Sequence, residues 1–183
     1  MKLATLLLLA AVTGGLILAA CASSPVKSPP ATAAKVDLSR YTGTWHEIAR
    51  LPMPFQRDGD SATATYGANA DGTLSVHNVA RAPNGEKSEI RGSAKVLNPG
   101  QNSKLLVSFN AWFSVFIPKP EQGNYWILDV DDGYQRALVG TPDRRYLWIL
   151  ARTPAIPENE ENALITKAQD LGYDVSRLVR PKR

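Results

Sequence analysis

Five turn dipeptides punctuate the chain: Asp71-Gly72, Asn84-Gly85, Pro99-Gly100, Asp132-Gly133 and Pro142-Asp143. Glycine, proline, Asn and Asp at such places set the backbone for a tight reversal, and each pair separates short runs rich in β-formers. The runs fall at about 44–50, 61–67, 73–79, 88–97, 104–109, 124–130, 135–140 and 145–152, with no helical periodicity among them. Consecutive hairpins leave an open meander with two unpaired edges, and closing it on itself removes both. The spacing therefore predicts an all-β chain, an eight-stranded antiparallel up-and-down barrel. After the last run, "PENEENALITKAQDLGYD" reads as a C-terminal α-helix packed on the outside of the barrel. Pro157 suits its first turn, Glu158, Glu160 and Glu161 favour its positive end, Gly172 stops it, and Leu164, Ala168 and Leu171 form its apolar stripe.

The interior of an eight-stranded barrel is either filled by side chains or just wide enough for one small ligand, so its inward residues decide between the two. Alternation puts Ala62, Ala64 and Tyr66 on one face, with Leu74 and Val76, then Gly92, Ala94 and Val96, then Leu105, Val107 and Phe109. Small residues on adjacent strands leave volume where a solid core needs bulk. A ligand cavity is the expectation, and a filled barrel in a structural envelope protein is the alternative.

A chain of 183 residues suits one domain, and 44% hydrophobic with 21% charged residues is a globular composition. Residues 1–20 depart from it: one cation, a long apolar run and small residues lead to Cys21, the layout of a secretory signal. Cys21 is the only cysteine, so it forms no disulfide within the chain. "LAAC" resembles the bacterial lipobox, which implies cleavage before Cys21 and acylation of that residue. Ala22 in place of Asp resembles the outer-membrane sorting pattern, which implies the periplasmic face. A retained transmembrane anchor and a conventional signal with a free thiol are the alternatives. Residues 21–35, rich in Pro, Ser and Ala, are expected as a lipidated flexible tether ahead of a folded domain at 36–183. The net charge of +4 is scattered and no basic run interleaves with aromatics, which excludes a nucleic-acid footprint.

"YTGTWHEIAR", residues 41–50, at the start of such a barrel resembles the first motif of the lipocalins. "YWILDVDDGYQRALVGTPDRRYLWILARTP", residues 125–154, is similar to the bacterial outer-membrane members of that family and to its plant and apolipoprotein D branch. The resemblance implies that Gly43 lets the entry segment cross beneath the barrel, that Trp45 plugs the closed end, and that Arg152 stacks over Trp45. It also implies a small hydrophobic ligand, with a fatty acid or lysophospholipid as the class to expect. The motif between the sixth and seventh strands is only partly met, through Asp132.

Lipocalin topology puts the mouth at the loops near 51–60, 80–87, 110–123 and 141–145. Arg57, Arg81, Lys87, Lys119 and Arg144 fall there, and each could pair with a carboxylate or phosphate or be simply solvated. In "AWFSVFIP", residues 111–118, Trp112 and Phe116 stand in an apolar connecting segment that calls for the ligand, the membrane or a second subunit, a homodimer, as its partner, or for packing under the rim. Expected ligand contacts are Ala62, Ala64, Tyr66, Leu74, Val76, Ala94, Val107, Phe109, Trp112, Phe116, Arg57 and Arg81. His46 and His77 lie on different strands without metal-ligand spacing, and no nucleophile elbow, phosphate loop or dinucleotide fingerprint occurs. "DVDDGY" fails as a calcium loop, because its acids do not alternate and the twelfth position is Gly140. No cofactor, no metal and no catalytic residue are expected, against an alternative in which a cryptic site turns over lipid.

Overall fold

The structure, a computed structural model, describes residues 28–110 and 120–182. Cys21, Trp112, Phe116 and Lys119 lie outside them, as does the signal expected over 1–20. Eight strands close into one antiparallel barrel in chain order: β1 Gly43–Arg50, β2 Ser61–Ala68, β3 Leu74–Arg81, β4 Lys87–Val96, β5 Lys104–Phe109, β6 Tyr125–Val130, β7 Arg136–Gly140 and β8 Leu147–Ala151. β1 closes the ring on β8, from His46↔Ala151 to Arg50↔Trp148. A four-residue helix, α1 Leu38–Tyr41, precedes β1. It is capped by the Asp37 carboxylate, which accepts from the Ser39 N–H at 2.9 Å. Among the described residues no helix is long and apolar enough to cross a membrane.

Two departures from a regular barrel matter for the interior. β1 pairs with β2 only from Gly43↔Tyr66 to His46↔Thr63. Beyond that point the C-terminal segment takes the vacated edge: Arg50 and Val179 exchange both backbone hydrogen bonds, at 3.0 and 2.8 Å, and the Lys182 N–H donates to Gly59 O at 3.0 Å. On the far side β5 pairs with β6 at only Lys104↔Trp126 and Leu105↔Tyr125. There the Asn124 side chain substitutes for a strand peptide, accepting from the Val107 N–H at 2.8 Å and donating to Val107 O at 3.0 Å.

Two apolar layers result. Inside the barrel, Val36, Tyr41, Trp45, Tyr66, Leu74, Val76, Ala94, Leu105, Ile127, Val139 and Leu150 pack together. Outside it, Ile48, Leu128, Leu138, Leu147 and Ile149 are covered by α2 Glu158–Asp170 through Leu164 and Ala168, with Leu171 packed beside them. Gly172 follows at φ +86, the left-handed position that ends a helix without a Cβ clash. Tyr173 then seats against Gly140, where any Cβ would fall 2.3 Å from its hydroxyl. Residues 28–35 of the expected tether run along the barrel: the Ala33 N–H donates to Ile127 O at 3.0 Å, Thr32 accepts from Ser103, and Arg144 donates to Ser28 O at 2.7 Å.

Candidate ligand cavity

At the closed end Trp45 is wholly buried and its indole N–H donates to Tyr41 O at 2.8 Å. The Arg152 guanidinium carbon stands 3.8 Å from the Trp45 ring centroid. Its nitrogens donate to four carbonyls, those of Tyr134, Thr44, Arg40 and Thr42, at 2.8–3.1 Å. Gly43 sits at φ +90, and a Cβ there would meet Arg152 Nη1 at 3.3 Å. The glycine thus answers both a backbone requirement and a space requirement.

Strand register puts Trp45, Ala62, Ala64, Tyr66, Leu74, Val76, Asn78, Ala80, Ser88, Ile90, Gly92, Ala94, Val107 and Phe109 on the inner face. Near the floor, Tyr66, Leu74, Val76 and Ala94 are buried. Higher up, Ala62, Ala64, Asn78, Ala80, Ile90, Val107 and Phe109 are only half-buried although they point inward. Among the described residues the barrel is therefore packed at its base and accessible above. Between the 51–60 loop and the inward Ala80 and Ser88 lies a cleft of about 580 Å³, lined by Pro52, Met53, Pro54, Phe55, Gln56, Arg57, Asp58 and Asp60.

Aromatic rings descend from this rim to the floor. Exposed Phe55 meets Tyr146 edge-on at 5.9 Å, Tyr146 tilts against Trp148 at 6.2 Å, and Trp148 stacks on Tyr125 at 6.5 Å. Tyr125 then meets Tyr66 at 5.9 Å, Tyr66 meets Tyr41 at 5.6 Å, and Tyr41 lies on Trp45 at 4.9 Å. The hydroxyls of Tyr41, Tyr66 and Tyr125 converge, with Tyr41–Tyr125 at 2.8 Å and Tyr66 donating to Tyr125 at 2.9 Å. Burial pushes Tyr66 up to about 12 and the other two well above the usual phenol range, so all three stay protonated. Asn78 Oδ1 is buried on the inner face without a hydrogen-bond partner.

A charged pair also faces inward. A bulge between Glu47 and Ala49 shifts the alternation, so Arg50 joins Trp45 and Glu47 on the inner face. Arg50, 1% exposed, approaches Glu47 at 3.3 Å and donates to the carbonyls of Leu51, Gln56 and Arg57 and to Asp58. These bonds fold the 51–60 loop over the mouth. Burial lifts the Glu47 carboxyl from its ordinary 4.5 to about 7, against the opposing pull of Arg50 and of the Gln56 amide, which donates to Glu47 at 3.0 Å.

Among the described loop cations, Arg57 borders the cleft and the others stand apart from it. Arg57 is exposed and paired with Asp60 at 3.6 Å and Glu86 at 3.2 Å. Arg81 departs from its expected place: the alternation that turns Ala80 inward turns Arg81 outward, where it lines a groove of about 760 Å³ with His46, Arg180 and Lys182. Lys87 pairs with Glu89, and Arg144 holds the end of α2 through Leu171 O at 2.7 Å. His77 contacts Glu89 on the outer surface. Asp131 accepts from the backbone of Gln135, while Asp129 pairs with Lys167. Among the described residues no cluster suits a metal ion. Sequence reasoning missed Glu47, Arg50, Asn78, Tyr41, Tyr125 and Trp148; the parity of Tyr125 with Ile127 and of Trp148 with Leu150 was the signal for the last two.

Comparisons with known proteins agree with this geometry. The family model described as a lipocalin-like domain matches residues 36–183. Temperature-induced lipocalin-1 of Arabidopsis thaliana is 42% identical over 146 residues, covering 78% of this chain and 77% of the relative. Outer membrane lipoprotein Blc of Escherichia coli K12 is 35% identical over 173 residues, covering 94% and 93%. Among solved structures, insecticyanin from the tobacco hornworm Manduca sexta superposes with a TM-score of 0.57 at 20% identity, covering 85% of this chain and 84% of that one. The cockroach allergen Per a 4 gives 0.59 at 15%, covering 82% and 90%. A closed eight-stranded barrel floored by a tryptophan under an arginine, matched over residues 36–183 by the lipocalin-like family model, makes this chain a member of the lipocalin family.

Proposed function

We propose that the protein is a non-catalytic carrier of a small hydrophobic ligand, a fatty acid or lysophospholipid, held at the outer membrane by acyl chains on Cys21 and facing the periplasm. The observation that carries the binding reading is the contrast along the inner face: buried residues at the floor, half-buried apolar residues above them. Apolar side chains that point inward yet stay accessible line space for a guest. Enclosing about 12 methylenes would contribute roughly 10 kcal/mol of gross transfer free energy, much of it offset by association and ordering, which leaves micromolar or somewhat tighter affinity. The outer-membrane assignment is supported by relatives named outer membrane lipoprotein and by the lipobox-like "LAAC". Binding without turnover is supported by two outward-facing histidines and by family membership.

Mass spectrometry of protein extracted natively from cells, followed by titration with a fluorescent fatty acid, tests the reading. Co-purified lipid and saturable uptake are expected, and Ala62→Trp, which fills the accessible wall, should abolish uptake while preserving the fold. A protein that carries no lipid and takes up none would overturn it. A mass shift on Cys21 checks the anchor.

A further inference from the structure

The three hydroxyls above the Trp45 floor do not balance. Tyr41, Tyr66 and Tyr125 bring three O–H protons to two hydrogen bonds, Tyr66 to Tyr125 and the Tyr41–Tyr125 pair. Whichever way the second bond runs, one proton is left over, and among the described residues nothing accepts it. Tyr41 is wholly buried and Tyr66 nearly so, whereas Tyr125 keeps partial exposure beneath Trp148. The arrangement with least desolvation has Tyr41 and Tyr66 both donating to Tyr125, which leaves the spare proton on the least buried residue of the three. A purely hydrocarbon guest seated there would strip that proton of water and offer nothing in return.

Resting on the reading of the interior as a lipid site, we propose that the ligand carries a neutral oxygen at its inner end, and that Tyr125 Oη donates a hydrogen bond to it. A charged carboxylate is a poor occupant: one phenol would be its donor, and Arg152 lies beyond the Trp45 ring, committed to four carbonyls. A hydroxyl, carbonyl or undissociated acid fits. Such an oxygen reaches the floor in one of two ways, on the far end of a chain whose head group stays at the mouth, or as the carboxyl of a fatty acid that enters head first. Asn78, with its unpartnered inward Oδ1, is a second sign that the interior was not shaped for methylenes alone.

The test is calorimetric titration of the full-length protein with four probes: hexadecanoyl and ω-hydroxyhexadecanoyl lysophosphatidylcholine, hexadecanoic acid and hexadecane. About tenfold tighter binding is expected for the ω-hydroxy lysophospholipid over its plain counterpart if the chain end supplies the oxygen, or for hexadecanoic acid over hexadecane if the carboxyl does. The triple variant Tyr41→Phe, Tyr66→Phe, Tyr125→Phe removes every donor and leaves no orphan, so it should lose the preference while binding the plain chain at least as well. Equal affinities within both pairs for the wild type, or a preference surviving in the triple variant, would overturn the inference while leaving lipid carriage intact. Failure of all four probes to bind would remove both.

Discussion

Replacing Glu47 by Gln should stabilise the protein at alkaline pH, although it removes one half of an ion pair. Glu47 is 6% exposed, and burial raises its carboxyl to about 7 where the unfolded chain holds it near 4.5. The folded state therefore binds this proton more tightly than the unfolded state. The stability so gained is fully present below pH 4.5 and is lost as pH rises through about 7. With about 1.36 kcal/mol for each pH unit of that gap, the folded protein at pH 8 carries a burden of roughly 3 kcal/mol from the ionised carboxylate. The neutral amide introduced by Glu47→Gln would carry none. The substitution would not orphan Arg50, which keeps the carbonyls of Leu51, Gln56 and Arg57 and the Asp58 carboxylate. Urea denaturation of both proteins across pH 4 to 8 should thus show near-equal stability at the acid end. Toward pH 8 an advantage for the variant should grow to about 3 kcal/mol. Titrations elsewhere are common to both chains and cancel in the difference. A variant less stable than wild type at pH 8 would show that attraction to Arg50 outweighs desolvation, refuting the reasoning.

Arg152→Ala should cost about 3 kcal/mol by thermal or chemical unfolding, since it removes a cation–π contact of about 0.5–2 kcal/mol and leaves four carbonyls without their donor. Arg152→Lys should recover less than half of that, because one ammonium cannot span the four acceptors. Gly43→Ala should cost about 1–2 kcal/mol through its left-handed backbone, as read from the urea midpoint. Gly140→Ala should cost about 2–3 kcal/mol by driving Tyr173 from its place. Tyr173→Phe, which loses only the hydrogen bond to Thr141 O, should cost about 1 kcal/mol in the same assay.

Strand positions were legible because turn chemistry is local: each of the eight predicted runs overlaps its strand to within about two residues at either end. The inward set from Ala62 to Phe109 was legible because a strand's side-chain period is two, and hairpins without bulges transmit it from one strand to the next. Where a bulge intervenes that reading fails. Strict alternation from Trp45 puts Ala49 inside and Arg50 outside, yet the extra residue before Ala49 reverses them. The four residues of α1 are too few to show a helical period. The meeting of Tyr41, Tyr66 and Tyr125 depends on barrel curvature rather than on any spacing along the chain, so no local pattern announces it. Arg81 departs from expectation for a simpler reason: nearness to a loop is not nearness to the mouth, and its position beyond Ala80 decides its face.

The seam that Val179 makes with Arg50 sets a schedule for the molecule. The earliest of the eight strands cannot have both neighbours along its length until Val179 has been made, because one border belongs to β8 and part of the other to the segment around Val179. Native contacts so distant along the polymer form late and slowly. The container is consequently sealed late, and a chain not yet extended to Val179 remains unlatched along that side.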